Sequence, residues 1–173
     1  RPELLLKGNF SPHTYSLKPS DAEKLQNADF VFWGGETLEG FLAKPINSLS
    51  KKAKDVSMLE IKGLKLKYFR AESHRGKSEN FESYSHNLSS DQDSEQQSAV
   101  DPHIWLDPEN AKVITQKIVQ ILSEFDPENA KIYQINGENN FVRINELDQQ
   151  LSSEMSEISD RTYLVLHDAY QYF

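Results

Sequence analysis

The stretch from about Pro127 to about Ile158 constrains this chain most. Ile144, Leu147, Leu151, Met155 and Ile158 recur there at three- and four-residue steps, and only Gly137 interrupts the helical composition. Read as one helix, it runs roughly 45 Å at about 1.5 Å per residue, longer than one small domain needs. Such a rod suits a backbone joining two lobes. Its opening hexapeptide, Asp-Pro-Glu-Asn-Ala-Lys at 126–131, repeats one already used at 107–112. Each copy is expected to start a helix, with Asp accepting from the free first-turn amides and Pro at N1, where a missing N–H costs nothing. The helix begun by the first copy is expected to bury Ile114, Ile118, Ile121, Leu122 and Phe125.

Ahead of these helices the pattern alternates. Glu3 to Leu6 reads as a short buried strand. Ser20 and Glu23 have capping-box spacing for a helix through Leu25 and Ala28. Phe30 to Trp33, closed by Gly34-Gly35, reads as a second strand, Leu38 to Lys44 as a helix stopped by Pro45, and Val56 to Leu59 as a weaker strand. After the long helix, Thr162 to Leu166 reads as one more buried strand. Strand and helix in alternation predict an α/β fold: an amino-terminal lobe with a mainly parallel sheet flanked by helices, the long linking helix, then the start of a second, similar lobe. The boundaries fall at 1–126, 127–158 and 159–173. Within the first unit, 71–98 turns to Ser, Glu, Asp, Asn and Gln without periodicity, which predicts a mobile acidic loop carrying His74 and His86.

Composition narrows the function. Nineteen basic residues against 27 acidic give a net charge of −8, so there is no broad cationic surface for nucleic acid. Cysteine is absent, which removes disulfides and thiolate metal sites and leaves nitrogen and oxygen as the available ligands. No apolar run approaches the roughly 18 residues of a membrane span, and the opening residues do not read as a signal peptide. A start at Arg1-Pro2-Glu3 and an end on Tyr172-Phe173 give the pattern expected of a fragment.

Three histidines stand out against this background. His13 follows the first expected strand, His103 follows the acidic loop, and His167 follows the last expected strand, the strand-exit positions where open α/β sheets place their sites. Imidazole suits zinc, which takes nitrogen donors in tetrahedral array. Pro12 and Pro102 each restrict the backbone just before a histidine, lowering the ordering cost of ligation. The spacing is unlike that of a zinc finger. On residues alone, a metal site and three separate structural histidines both stand.

The segments Pro12-His13-Thr14-Tyr15, Leu38-Glu39-Gly40-Phe41-Leu42, Asp101-Pro102-His103-Ile104-Trp105-Leu106-Asp107-Pro108 and His167-Asp168-Ala169-Tyr170-Gln171-Tyr172-Phe173 together resemble the ZnuA-like zinc-binding solute-binding proteins of bacterial ABC transporters, a family of metal-binding lipoproteins and relatives that includes adhesin-like members. The resemblance implies two α/β lobes on one rigid helix, a zinc ion in the cleft between them, and His13, His103 and His167 as its ligands. It further implies a monomer in the periplasm, or lipid-anchored outside a single-membrane cell, that delivers zinc to a membrane permease. Related manganese-binding members carry glutamate where His167 stands, and three imidazoles favour zinc over the harder-ligand manganese. The family's further acidic ligand comes from late in the second lobe, beyond Phe173, which leaves water as the default fourth ligand.

Three histidines and a water also describe a catalytic zinc, so a hydrolase is the alternative of a different class. It would need a positioned base. Asp101 and Asp168 flank the candidate ligands, a place where carboxylates ordinarily support imidazoles, and neither a HExxH helix nor a Gly-x-Ser-x-Gly elbow is present. The expectation is a carrier and not an enzyme, with Trp105, Tyr170, Tyr172 and Phe173 packed around the site.

Overall fold

The computed structural model describes residues 2–6, 15–69 and 99–173. His13, His74, His86 and the acidic stretch expected to be mobile lie outside the described residues, apart from the flanks of that stretch.

Helix α1 spans Pro19–Asn27, with Pro19 in its first turn. It starts two positions earlier than the Ser20 capping box predicts, because Asp21 and not Glu23 reaches back: its carboxylate accepts from the Lys18 amide at 3.1 Å and from the Tyr15 hydroxyl at 2.7 Å. The Tyr15 bond, then the amide, holds the Asp21 carboxyl below its usual range. At the other end, the Ser50 hydroxyl donates to the Leu25 carbonyl at 3.1 Å and satisfies one of the terminal acceptors.

Strand β1, Phe30–Trp33, pairs in parallel with β2, Lys54–Ser57, in the register Phe30 with Lys54 through Trp33 with Ser57. The crossover between them is α2, Glu36–Leu49, so the three elements form one βαβ unit. Gly35 enters this helix at φ +117°, a conformation costly for any residue with a side chain. The helix continues through Pro45, where the sequence reading stops it. Leu42 and Ile46, on either side of the proline, are both buried. Burying two such side chains, at about 1.5–3 kcal/mol each, outweighs the roughly 3 kcal/mol that an interior proline costs. The kink in the helix lies elsewhere, at Glu39, which leaves helical geometry at φ −124°, ψ 48° and accepts from the Gly34 amide at 2.6 Å. Burial raises the Glu39 carboxyl above its ordinary value, and the Gly34 bond opposes that.

Leu25, Val31, Leu42 and Ile46 form the core of this unit, with Leu17, Trp33, Phe41 and Leu49 packed around it. Leu5 also rests on this core, yet residues 3–6 form no strand. The β2 strand begins two residues earlier than expected and gives way to a 3-10 turn, Met58–Glu60, which takes in the last two residues of the expected strand, Met58 and Leu59.

Helix α3, Pro108–Phe125, and helix α4, Ala130–Ser156, pack against each other. Gly137 faces Val119 and Asn140 donates to the Thr115 hydroxyl at 2.9 Å, so the two run antiparallel. A Cβ at Gly137 would stand 2.7 Å from Val119 Cγ2; the glycine, unfavourable within a helix, is what lets α3 approach α4. α4 is continuous through that glycine, as predicted, but its opening turn, Pro127–Asn129, is 3-10 and not α. In α3 only Ile121 of the expected apolar set is fully buried. Phe125 is exposed apart from an edge-to-face contact with Phe30, with ring centres 4.8 Å apart.

The segment 162–166 is not a strand. Leu164 and Leu166 are 99% and 107% exposed, and no described segment lies alongside to complete a ladder. A single extended run has nowhere to place its amides and carbonyls except in water. No helix among the described residues is long and apolar enough to cross a membrane.

Candidate metal centre

The two flanks of the acidic stretch meet in a short antiparallel bridge between Tyr68 and Val100, extended by Phe69 N–H to Ala99 O and Asp101 N–H to Lys67 O, both 2.9 Å. This pairing, invisible in the sequence because its partners are more than thirty residues apart, delivers Asp101 to a fixed place. Pro102 then turns the chain and a 3-10 turn, Ile104–Leu106, carries it to Asp107 and α3. His103 sits at the start of that turn.

Asp101 is 0% exposed and His103 4%. One carboxylate oxygen of Asp101 lies 2.6 Å from His103 Nδ1 and also accepts from the His103 amide at 3.0 Å. An ionised carboxylate only accepts, so it places the ring proton on Nδ1 and leaves the Nε2 lone pair outward. That lone pair faces His167: the two Nε2 atoms are 3.1 Å apart, with ring centres at 4.9 Å and planes inclined by 78°. With Nδ1 carrying the proton of His103, the N–H between the rings belongs to His167. Trp105 closes one side of His103, edge-on at 5.4 Å.

His167 comes from the far end of the chain, and two neighbours tie its segment to the first. The Gln171 side-chain amide donates to the second carboxylate oxygen of Asp101 at 2.9 Å. The Tyr172 hydroxyl donates to the Asp101 carbonyl at 3.0 Å and accepts from the Lys67 amide at 2.7 Å, while the Lys67 ammonium donates to the Gln171 carbonyl and lies over the Tyr172 ring. Burial is the main influence on the Tyr172 phenol and raises it above its usual value, so it remains a donor at neutral pH. Of the four aromatics expected around the site, Tyr172 is buried at the junction and Trp105, though exposed, meets the His103 ring; Tyr170 and Phe173 are exposed.

Two of the three predicted ligands, His103 and His167, therefore come together, and His13 lies outside the described residues. Among the described residues no three His, Asp or Glu side chains converge as a ligand set. Tyr15 and its bond to Asp21 anchor the chain just after His13. Asp101 proves to be the imidazole support expected of a flanking carboxylate. Lys67 carried no motif that singled it out, and Gln171 stood inside the His167–Phe173 motif without a role assigned to it.

The family model described as "ZnuA: Zinc-uptake complex component A periplasmic" matches residues 1–173. The high-affinity zinc uptake system protein ZnuA of Brucella abortus is 37% identical over 100% of this chain and 57% of its own length. Among solved structures, one described as the crystal structure of ZnuA superposes with a TM-score of 0.76 at 24% identity, covering 99% of this chain and 56% of that one. Zn(II)-bound AdcA from Streptococcus pneumoniae superposes with a TM-score of 0.69 at 21% identity, covering 98% and 31%. These likenesses establish the fold of the periplasmic binding proteins for the part present. The chain spans little more than half the length of the curated relative.

Proposed function

This chain belongs to the ZnuA family, and from that premise we propose that it captures zinc in a cleft between two lobes and hands the ion to the permease of an ABC importer in the periplasm. His13, His103 and His167 are the ligands in this reading, and α4 is the strut between lobes at 1–126 and 159–173. Zinc is the cargo, and the protein is a carrier and not an enzyme.

One observation carries the reading. Two nitrogens bound tetrahedrally to zinc at about 2.0 Å are separated by about 3.3 Å, and His103 Nε2 and His167 Nε2 stand at 3.1 Å. Little rearrangement is needed: His167 would carry its ring proton on Nδ1 in place of Nε2, which frees both Nε2 lone pairs for an ion between the rings, while Asp101 keeps its hold on Nδ1 of His103. His13 completes a nitrogen set, supported by its motif and by the Tyr15 anchor beside it. A nitrogen-rich set also favours zinc over manganese, which prefers oxygen donors.

Calorimetric zinc titration of the full chain tests this. His103→Ala is expected to weaken binding at least 100-fold, on the order of a lost ligand, and His74→Ala or His86→Ala to leave it nearly unchanged. Equal losses in all three variants refute the assignment.

A further inference from the structure

Asp101 has more work than supporting one imidazole. Its two carboxylate oxygens face two different segments: one holds the His103 ring and amide, and the other accepts from Gln171, four residues after His167. The main-chain atoms repeat the link, since the Asp101 carbonyl accepts from Tyr172. A buried carboxylate divided in this way makes the orientation of one histidine depend on the seating of the other segment. If the Gln171 bond were absent, Asp101 would still fix the His103 tautomer, but its carboxylate would no longer reach the His167 segment, leaving that junction to Tyr172 and Lys67.

We propose that Asp101 and Gln171 form a clamp that holds His103 and His167 at ligand separation before the ion arrives, Asp101 and Gln171 acting as positioning residues and Tyr172 with Lys67 securing the same junction. The proposal rests on the zinc-carrier reading for its purpose, not for its geometry. Organising ligands in advance raises affinity because the ordering cost is met on folding and not on binding.

A donor–acceptor exchange tests the clamp. Gln171→Glu sets carboxylate against carboxylate. Asp101→Asn keeps an oxygen for His103 Nδ1–H and turns an N–H toward Gln171, whose side-chain amide can rotate to offer its oxygen, so a neutral bond survives. The double variant reverses the native pair, so that the residue at 101 donates and the residue at 171 accepts. Gln171→Glu is expected to weaken zinc binding about 10- to 100-fold and to abolish the nuclear Overhauser contact between the two imidazole rings in metal-free protein, and Asp101→Asn to do less of both. Adding Asp101→Asn to Gln171→Glu is expected to restore both readouts toward the native values, whereas adding it to Gln171→Leu, a milder change at a half-buried position, should restore neither. A double variant no better than Gln171→Glu alone, or an unchanged ring contact in Gln171→Glu, overturns the clamp. The metal-free measurement separates the two claims: a native chain that binds no zinc yet shows loss and recovery of the ring contact would sink the carrier reading and leave the clamp standing.

Discussion

The same six residues open two helices in this chain, and they do so differently. At 107–112 the Asp107 carboxylate accepts from the amides of Glu109 and Asn110 at 2.7 and 3.3 Å, and α3 begins at once. At 126–131 the Asp126 carboxylate is occupied instead by the Asn129 side chain and the Tyr133 hydroxyl, both at 2.8 Å, and the first turn closes as 3-10 through Asn129 N–H to Asp126 O. The asparagines diverge as sharply. Asn110 is 1% exposed and pairs with both the amide and the carbonyl of Lys65, at 2.8 and 3.0 Å, standing in for a neighbouring strand. Asn129 only folds back on its own turn. Local chemistry specifies that a helix starts here, while the structure opposite decides which groups meet the free amides. The first copy is thereby joined to the segment that leads through Lys67 to Tyr172 and the histidine pair, and the second serves only its own helix.

The asparagines give the largest test of that contrast. Asn110→Ala leaves the Lys65 amide and carbonyl without their partner in a part-buried place, at an expected cost of about 2 kcal/mol. Asn129→Ala removes one exposed bond and should cost under about 0.5 kcal/mol. Urea unfolding of the two variants measures both. Because Lys65 leads to Lys67, Asn110→Ala should also weaken zinc binding, and Asn129→Ala should not. Equal destabilisation would mean that the two copies differ less than their geometry implies.

The aspartates come next. Asp107→Ala deletes a cap that holds two amides and is expected to cost about 1 kcal/mol. Asp126→Ala deletes at most a weak contact with the Asn129 amide, so its loss should be the smaller of the two at neutral pH. Asp107→Ser, which keeps a capping oxygen, should recover most of the first loss, while Asp126→Ser should recover little of the second because a serine at that position is too short to serve both Asn129 and Tyr133. Recovery at 126 as complete as at 107 would erase the distinction.

The contrast also explains what was legible in the residues themselves. The long helix, α3, β1 and the α/β alternation follow from periodicity and punctuation, which are local. The pairing of His103 with His167 followed from motif resemblance and not from spacing. What escaped was set by tertiary partners. Residues 162–166 read as a strand because they are β-branched and aromatic, yet a strand exists only with a neighbour. Pro45 reads as a stop, yet Leu42 and Ile46 are buried on either side of it. Lys67 and the Tyr68–Val100 bridge had no local signature, and the role of Gln171 within its motif had none either, because each acts through a partner distant in sequence. The twin hexapeptides are the controlled case: identical residues, with only the surroundings changed.

Acid provides the finest discrimination. The Asn129 side chain first, and the Tyr133 hydroxyl second, hold the Asp126 carboxyl below its ordinary value. A carboxyl depressed in the folded state contributes stability that is present in full above its unfolded value, near about 3.9, and is lost as pH falls through the folded value. The native chain should therefore exceed Tyr133→Phe in stability at neutral pH, and the gap should close as pH is lowered from about 5 toward about 2. Asn129→Ala should show the same closure. The Asn110→Ala deficit has no carboxylate in its bond and should persist into acid as long as the chain remains folded. If the Tyr133→Phe gap also persists, the tyrosine acts through ring packing and not through Asp126, and the second hexapeptide would then lack the side-chain bond that distinguishes its opening turn from the first.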